Sequence, residues 1–178
     1  MDRNWLLKVI LLMYMLTGGV ANGIGDLAKI LAALSGQAEC SFKCPNEMEK
    51  PIPNRKHVPT SNGCGSHGLK LDTSEMPGFT ECCDIHDKCY DTCNADRKQC
   101  DEDFKSCLSN VCLFEGLSEK KSKKLMKQCQ SSVDLMYATT STLGCTAYIQ
   151  SQANACLCNG KKLSKKEIKR LLNPNDEL

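Results

Sequence analysis

Residues 81–90 read ECCDIHDKCY: a histidine and an aspartate side by side, with cysteines on both sides. From Phe79 to Glu115 there is neither proline nor glycine. A long helix is therefore permitted, with a candidate interruption near Asn94–Arg97. At about 100° per residue, Cys82, His86, Cys89, Cys93, Cys100 and Cys107 fall within a stripe about 60° wide. The histidine thus lies on the face that the cysteines attach to the rest of the chain, with Asp87 and Tyr90 on its flank and Cys83 between them. A histidine on such a face is more often a satisfied structural residue than a catalyst. Its neighbour changes the reading: adjacent helical side chains diverge by about 100° and cannot pair face to face, but both can border one cleft. That suits two jobs, a base on one wall and a cation ligand on the other.

The compartment decides what the cysteines mean. Arg3 and Lys8, the apolar run Val9–Leu16 and the small residues Gly19-Val20-Ala21 read as a signal peptide over residues 1–21. The run is too short for a membrane anchor, which needs roughly 20 apolar residues. Removing Asp2, Arg3 and Lys8 from the 23 basic and 21 acidic residues leaves 21 and 20, a net charge near +1. Global charge names no partner and offers no case for nucleic acid. All 14 cysteines lie beyond the signal segment, and their even number in an exported chain points to a disulfide framework. Structural zinc through Cys40-x3-Cys44 and Cys89-x3-Cys93 is the rival that the export signal disfavours.

Further out, Ile24, Leu27, Leu31 and Leu34 share one face of a short amphipathic helix over 22–39. Pro45, Pro51, Pro53 and Pro59 mark an extended connection, followed by the glycine-rich NGCGSHG at 62–68. A second helical region runs from about Ser118 to Cys158 with a break at Gly144. The tail KKLSKKEIKR at 161–170 reads as a basic, solvated helix end. Strand alternation is not evident. The expectation is a mainly α, disulfide-rich domain over 40–160, with two long antiparallel helices and a basic tail over 161–178. A glycine loop alone is weak evidence for a site. Beside Asp87 it can turn backbone carbonyls toward a calcium ion, which takes six to eight oxygens.

NGCGSHG followed by ECCDIHDKCYDTC resembles the calcium loop and catalytic helix of secreted phospholipase A2, and CCDIHDKCYDTC with the Cys40-x3-Cys44 pair is most similar to the group XII branch. The resemblance covers about residues 37–159. It implies that His86 is the general base that draws a proton from water attacking the sn-2 ester of a phospholipid. It also implies that calcium, held by Asp87 and the carbonyls of Gly63, Gly65 and His67, polarises that ester. By the same resemblance Gly65 would supply an oxyanion amide and Tyr90 would belong to the network behind the histidine. His67 stands where many relatives carry glycine. The family's second aspartate, counted back from Cys156, falls on Gln150, which predicts weaker support for the imidazolium; Asp134 is a candidate substitute.

Treating the helix bearing His86 and the 118–158 region as the antiparallel pair predicts Cys82–Cys156 and Cys89–Cys145. The resemblance adds Cys64–Cys83. The expected partner is a phospholipid surface met by a monomeric, secreted protein. The other reading is a secreted lipid- or receptor-binding protein of the same fold with little catalysis, which would have no need of His86 beside a calcium carboxylate. The final NDEL is one residue away from a retention signal of the endoplasmic reticulum.

Overall fold

The computed structural model describes residues 40–46, 48–66, 69–73, 76–118 and 123–172. The expected signal segment, the amphipathic helix over 22–39, His67 and the NDEL end lie outside these residues. The described chain is mainly helical and carries seven disulfides. Its elements are β1 (Ile52–Pro53), β2 (Gly65–Ser66), β3 (Leu69–Lys70), α1 (Pro77–Tyr90), α2 (Arg97–Ser118), α3 (Lys123–Leu143), α4 (Cys145–Ala155), β4 (Cys156–Leu157) and α5 (Lys165–Leu172).

The long helix permitted by the sequence is two helices. Asp91 N–H still bonds to the Asp87 carbonyl, but Asn94 takes a positive φ of 65°, a conformation that asparagine tolerates better than most residues. The Asp96 carboxylate then accepts the Gln99 amide at 2.7 Å, an N-cap that starts α2. The turn is held from α4 by Gln152, whose amide nitrogen donates to the carbonyls of Tyr90 and Thr92 and whose oxygen accepts the Asn94 amide. The Tyr90 carbonyl is one of the acceptors that a helix end leaves without an intrahelical partner, and the Thr92 carbonyl also takes the Ala95 amide.

α2 therefore folds back on α1. The crosslinks Cys82–Cys107 and Cys89–Cys100 both total 189 in residue number, as facing positions of an antiparallel pair must. The expected Cys82–Cys156 and Cys89–Cys145 bonds do not form: Cys156 joins Cys93, and Cys145 joins Cys40. Constant sums do govern the pairing, but the partner of α1 is its immediate successor. Cys64–Cys83 is present.

α3 returns along α2, tied by Cys112–Cys129 and by the Tyr137 hydroxyl donating to Glu102 at 2.6 Å. One core, centred on Phe79, Cys82, Phe104, Leu108 and Val133, fills the space between these helices. A second joins Tyr90 and Cys100 to Tyr148 and Ile149 of α4. The bend at Gly144 leaves no room for a side chain, because a Cβ there would meet the Thr140 carbonyl oxygen at 2.4 Å and the Tyr90 hydroxyl at 3.0 Å.

Two short antiparallel pairs complete the scaffold, β1 with β4 and β2 with β3. The basic tail is in part a helix. Ser164 and Glu167 cap α5 reciprocally, while Leu171 and Leu172 pack on the second core. Among the described residues no helix is long and apolar enough to cross a membrane.

Candidate active site

α1 presents His86 inward and Asp87 to the side. His86 is 7% exposed, and its ring lies against Tyr90 (4.2 Å between centroids) and Phe104 (4.7 Å). Its Nε2 is 2.9 Å from Oδ1 of Asp101, a buried carboxylate one turn into α2. The Tyr90 hydroxyl donates to the same oxygen at 2.5 Å. A carboxylate only accepts, so Nε2 carries the ring proton and the neutral ring keeps its lone pair on Nδ1. Tyr90 stays a donor: burial, then its bond to Asp101, holds the phenol well above its ordinary range.

Arg97 closes the network from behind. Its guanidinium donates to the Thr140 and Ser141 carbonyls near the end of α3 and to the Tyr90 hydroxyl, and its Nε lies 3.8 Å from Asp101 Oδ2. One cation thus bonds two carbonyls near the end of α3, of which Thr140 also accepts the Gly144 amide at 2.7 Å, and faces the carboxylate that holds His86.

This corrects the placement of the orienting group. Gln150 is exposed on α4 and Asp134 is exposed on α3, where it accepts from Gln130. Asp101 stands where Gln150 was expected. It belongs to the helix that directly follows α1, not to the α4 helix that carries Gln150.

Asp87 is half-buried and faces the segment that leads into the glycine loop, with its Oδ2 accepting the Asn62 amide at 3.0 Å. Burial pushes its pKa up; the Asn62 bond and His86 pull it down, and the neighbouring Asp84 and Asp91 carboxylates raise it further. The loop is bound to the helix beside it by Cys64–Cys83 and by the Gly63 amide donating to Asp84. Gly63 takes a φ of 79°, which a side chain would strain.

The β2–β3 hairpin settles which way Gly65 points. The Leu71 amide bonds to the Cys64 carbonyl and Gly65 stands opposite Lys70. The alternation of an antiparallel ladder then makes Gly65–Lys70 a pair without mutual hydrogen bonds, and both polar groups of Gly65 face away from β3. Calcium prefers hard oxygen donors, and here Asp87 alone brings a partly desolvated carboxylate beside a loop with backbone oxygens to offer; no group of three metal-ligating side chains forms among the described residues. The residues present fit that ion.

A cleft of about 490 Å3, lined by Leu71, Met76, Phe79, Leu135 and Met136 and by the polar Asp72, Thr73 and Ser132, opens at the N-terminal end of α1. Phe79 lies seven residues from His86, about 10.5 Å along the helix.

A buried His–Asp pair on two crosslinked antiparallel helices, beside a glycine loop disulfide-bonded to the first, defines a phospholipase A2-like domain. The family model of group XII secretory phospholipase A2 matches residues 14–167. The chain belongs to that family. It is 36% identical to mouse (Mus musculus) group XIIA secretory phospholipase A2 over 151 residues, 78% of this chain and 75% of that one. Human (Homo sapiens) group XIIA secretory phospholipase A2 is likewise 36% identical over 152 residues, 79% and 77% of the two chains. The mouse group XIIB secretory phospholipase A2-like protein is 34% identical over 125 residues, 67% and 64% of the two chains. No solved structure matches.

Proposed function

We propose that this protein is a secreted, calcium-dependent phospholipase A2 that hydrolyses the sn-2 ester of glycerophospholipids, releasing a fatty acid and a lysophospholipid. The observation that carries the reading is the arrangement of Asp101, His86 and Asp87: a carboxylate fixes the ring from Nε2, and the next residue offers a second carboxylate beside the loop. His86 Nδ1 takes the proton from an attacking water as its oxygen adds to the ester carbonyl. Asp101 and Tyr90 hold the ring in place, and Asp101 stabilises the imidazolium that forms. The ring then returns the proton to the leaving lysophospholipid oxygen. The Gly65 amide, turned off the hairpin, is the oxyanion donor. Asp87 with the carbonyls of Gly63, Gly65 and His67 would hold calcium, which supplies positive charge to the ester carbonyl.

A positioned base is worth roughly 10²–10⁴ in rate and one oxyanion donor about 3–4 kcal/mol. Family membership and seven disulfides support export to an oxidising compartment. The test is fatty-acid release from mixed phospholipid vesicles, with calcium and with chelator, for the parent and His86→Gln. Release that needs both calcium and His86 is expected. Vesicle binding without release would make this a lipid-binding protein of the same fold.

A further inference from the structure

Two carboxylates on α1 and one at its C-cap accept backbone amides from one segment without regular secondary structure. Asp84 Oδ1 takes the Gly63 amide at 3.0 Å, Asp87 Oδ2 the Asn62 amide at 3.0 Å, and Asp91 Oδ2 the Thr60 amide at 2.9 Å and its hydroxyl at 3.1 Å. The geometry is a matched register. From 84 to 91 a helix rises about 10.5 Å, and three residues of chain can span at most about 10 Å, so the three contacts leave little slack between 60 and 63. Three helical residues meet one step of the segment, and the next four meet two.

Asp91 sits at the C-cap of α1, the end where a negative charge is least welcome. It is nevertheless 5% exposed, and His57 Nε2 lies 2.9 Å from its other oxygen, at ion-pair distance but not aligned as a hydrogen bond. A buried charge at the wrong end of a helix persists only where donors are supplied to it. Here the donors come from the segment that enters the glycine loop.

We propose that Asp84 and Asp91 are positioning residues. They hold residues 60–63 in the register that sets the loop carbonyls beside Asp87 before any cation arrives. This rests on the calcium reading above. Cys64–Cys83 fixes one point of the loop, and the two outer carboxylates fix the approach to it. The loop is thereby ordered in advance, so the cation does not have to bear the cost of ordering it.

The test combines amide hydrogen exchange in chelator with calcium titration by calorimetry on the mature, disulfide-bonded chain. Variants are Asp91→Ala, Asp91→Asn and Asp84→Asn, with Asp103→Asn on the exposed face of α2 as the charge-matched control. In the unaltered protein the Thr60, Asn62 and Gly63 amides should be protected without calcium. Asp91→Ala should lose Thr60 protection and raise the calcium Kd about 10-fold, the size of one charge-assisted hydrogen bond. Asp91→Asn, which keeps an acceptor oxygen, should recover part of both, Asp84→Asn should act on Gly63, and the control should do neither.

Unprotected amides in the unaltered protein, or lost protection with unchanged calcium affinity, would overturn the inference while leaving the calcium site standing. Absence of calcium binding by the unaltered protein would overturn the functional reading beneath it.

Discussion

The α1–α2 hairpin and α3 are both long helical pieces of one small domain, yet they are held in opposite ways. The hairpin buries Phe79, Cys82, His86, Tyr90, Asp101, Phe104 and Leu108 and is crosslinked to itself twice. α3 buries Val133 alone, exposes Leu125, Leu135 and Leu143, and is tied to α2 by Cys112–Cys129. The difference shows where the fold concentrates its constraint. A misplacement of about 1 Å can cost about 10²-fold in rate, so the histidine and its carboxylate sit on two helices crosslinked to each other. α3 mainly covers that pair.

The largest effect should come from within the hairpin. His86→Gln should lower hydrolysis by about 10²–10⁴ while sparing calcium binding, and Asp87→Asn should abolish the calcium response without unfolding the chain; kinetics and calorimetry on the same preparations check both. Asp101→Asn removes the charge behind the ring and should cost about 10²-fold or more in rate, whereas Gln150→Asp on the exposed face of α4 should leave the rate unchanged. Equal effects from those two variants would remove Asp101 as the group that holds the ring.

Paired cysteine removals sharpen it. Cys82–Cys107 and Cys112–Cys129 close spans of 25 and 17 residues, so chain entropy assigns each a similar loss of about 3 kcal/mol. Only the first pair should lower the rate of the protein that remains folded. Gly144→Ala should destabilise by about 1–3 kcal/mol through its clash with the Thr140 carbonyl and disturb Tyr90 as well, read by thermal unfolding and by rate.

Acidification gives a smaller, graded signal. Because burial raises the Asp87 pKa, protonation of this ligand on lowering pH begins above the pH expected for a free aspartate, near 3.8. Calcium affinity should therefore start to fall at milder acidity than for an exposed carboxylate, as titration across pH would show. Smallest of all, Leu143→Gln on the exposed face of α3 should change stability by about 0.5 kcal/mol or less.

Much of this was legible in the residues. ECCDIHDKCY placed His86 on the crosslinked face, glycine 144 marked a real bend, and the absence of strand alternation gave the helical class. Residues 94–97 suggest only an interruption of one helix, although Asn94 and Asp96 are a turn residue and an N-cap in the right order. Taking that break as the point of reversal makes Cys82–Cys107 and Cys89–Cys100 face each other, and Asp101 then comes opposite His86. What hid Asp101 was its company, since it opens the acidic run Asp101-Glu102-Asp103 and nothing local separates the buried carboxylate from its exposed neighbours. The roles of Gln152 and Arg97 were beyond reach for another reason: each satisfies backbone groups of a distant helix end, and no side-chain pattern announces where those carbonyls will lie.

The crosslinks have one more consequence, for survival among proteases. Every cysteine after the connection between α2 and α3 is bonded to one before it: Cys129 to Cys112, Cys145 to Cys40, Cys156 to Cys93 and Cys158 to Cys44. A single cut at residues 119–122 therefore separates nothing. The nicked protein would migrate as one species, fall into two pieces only under reduction, and keep the His86–Asp101 pair on a single fragment.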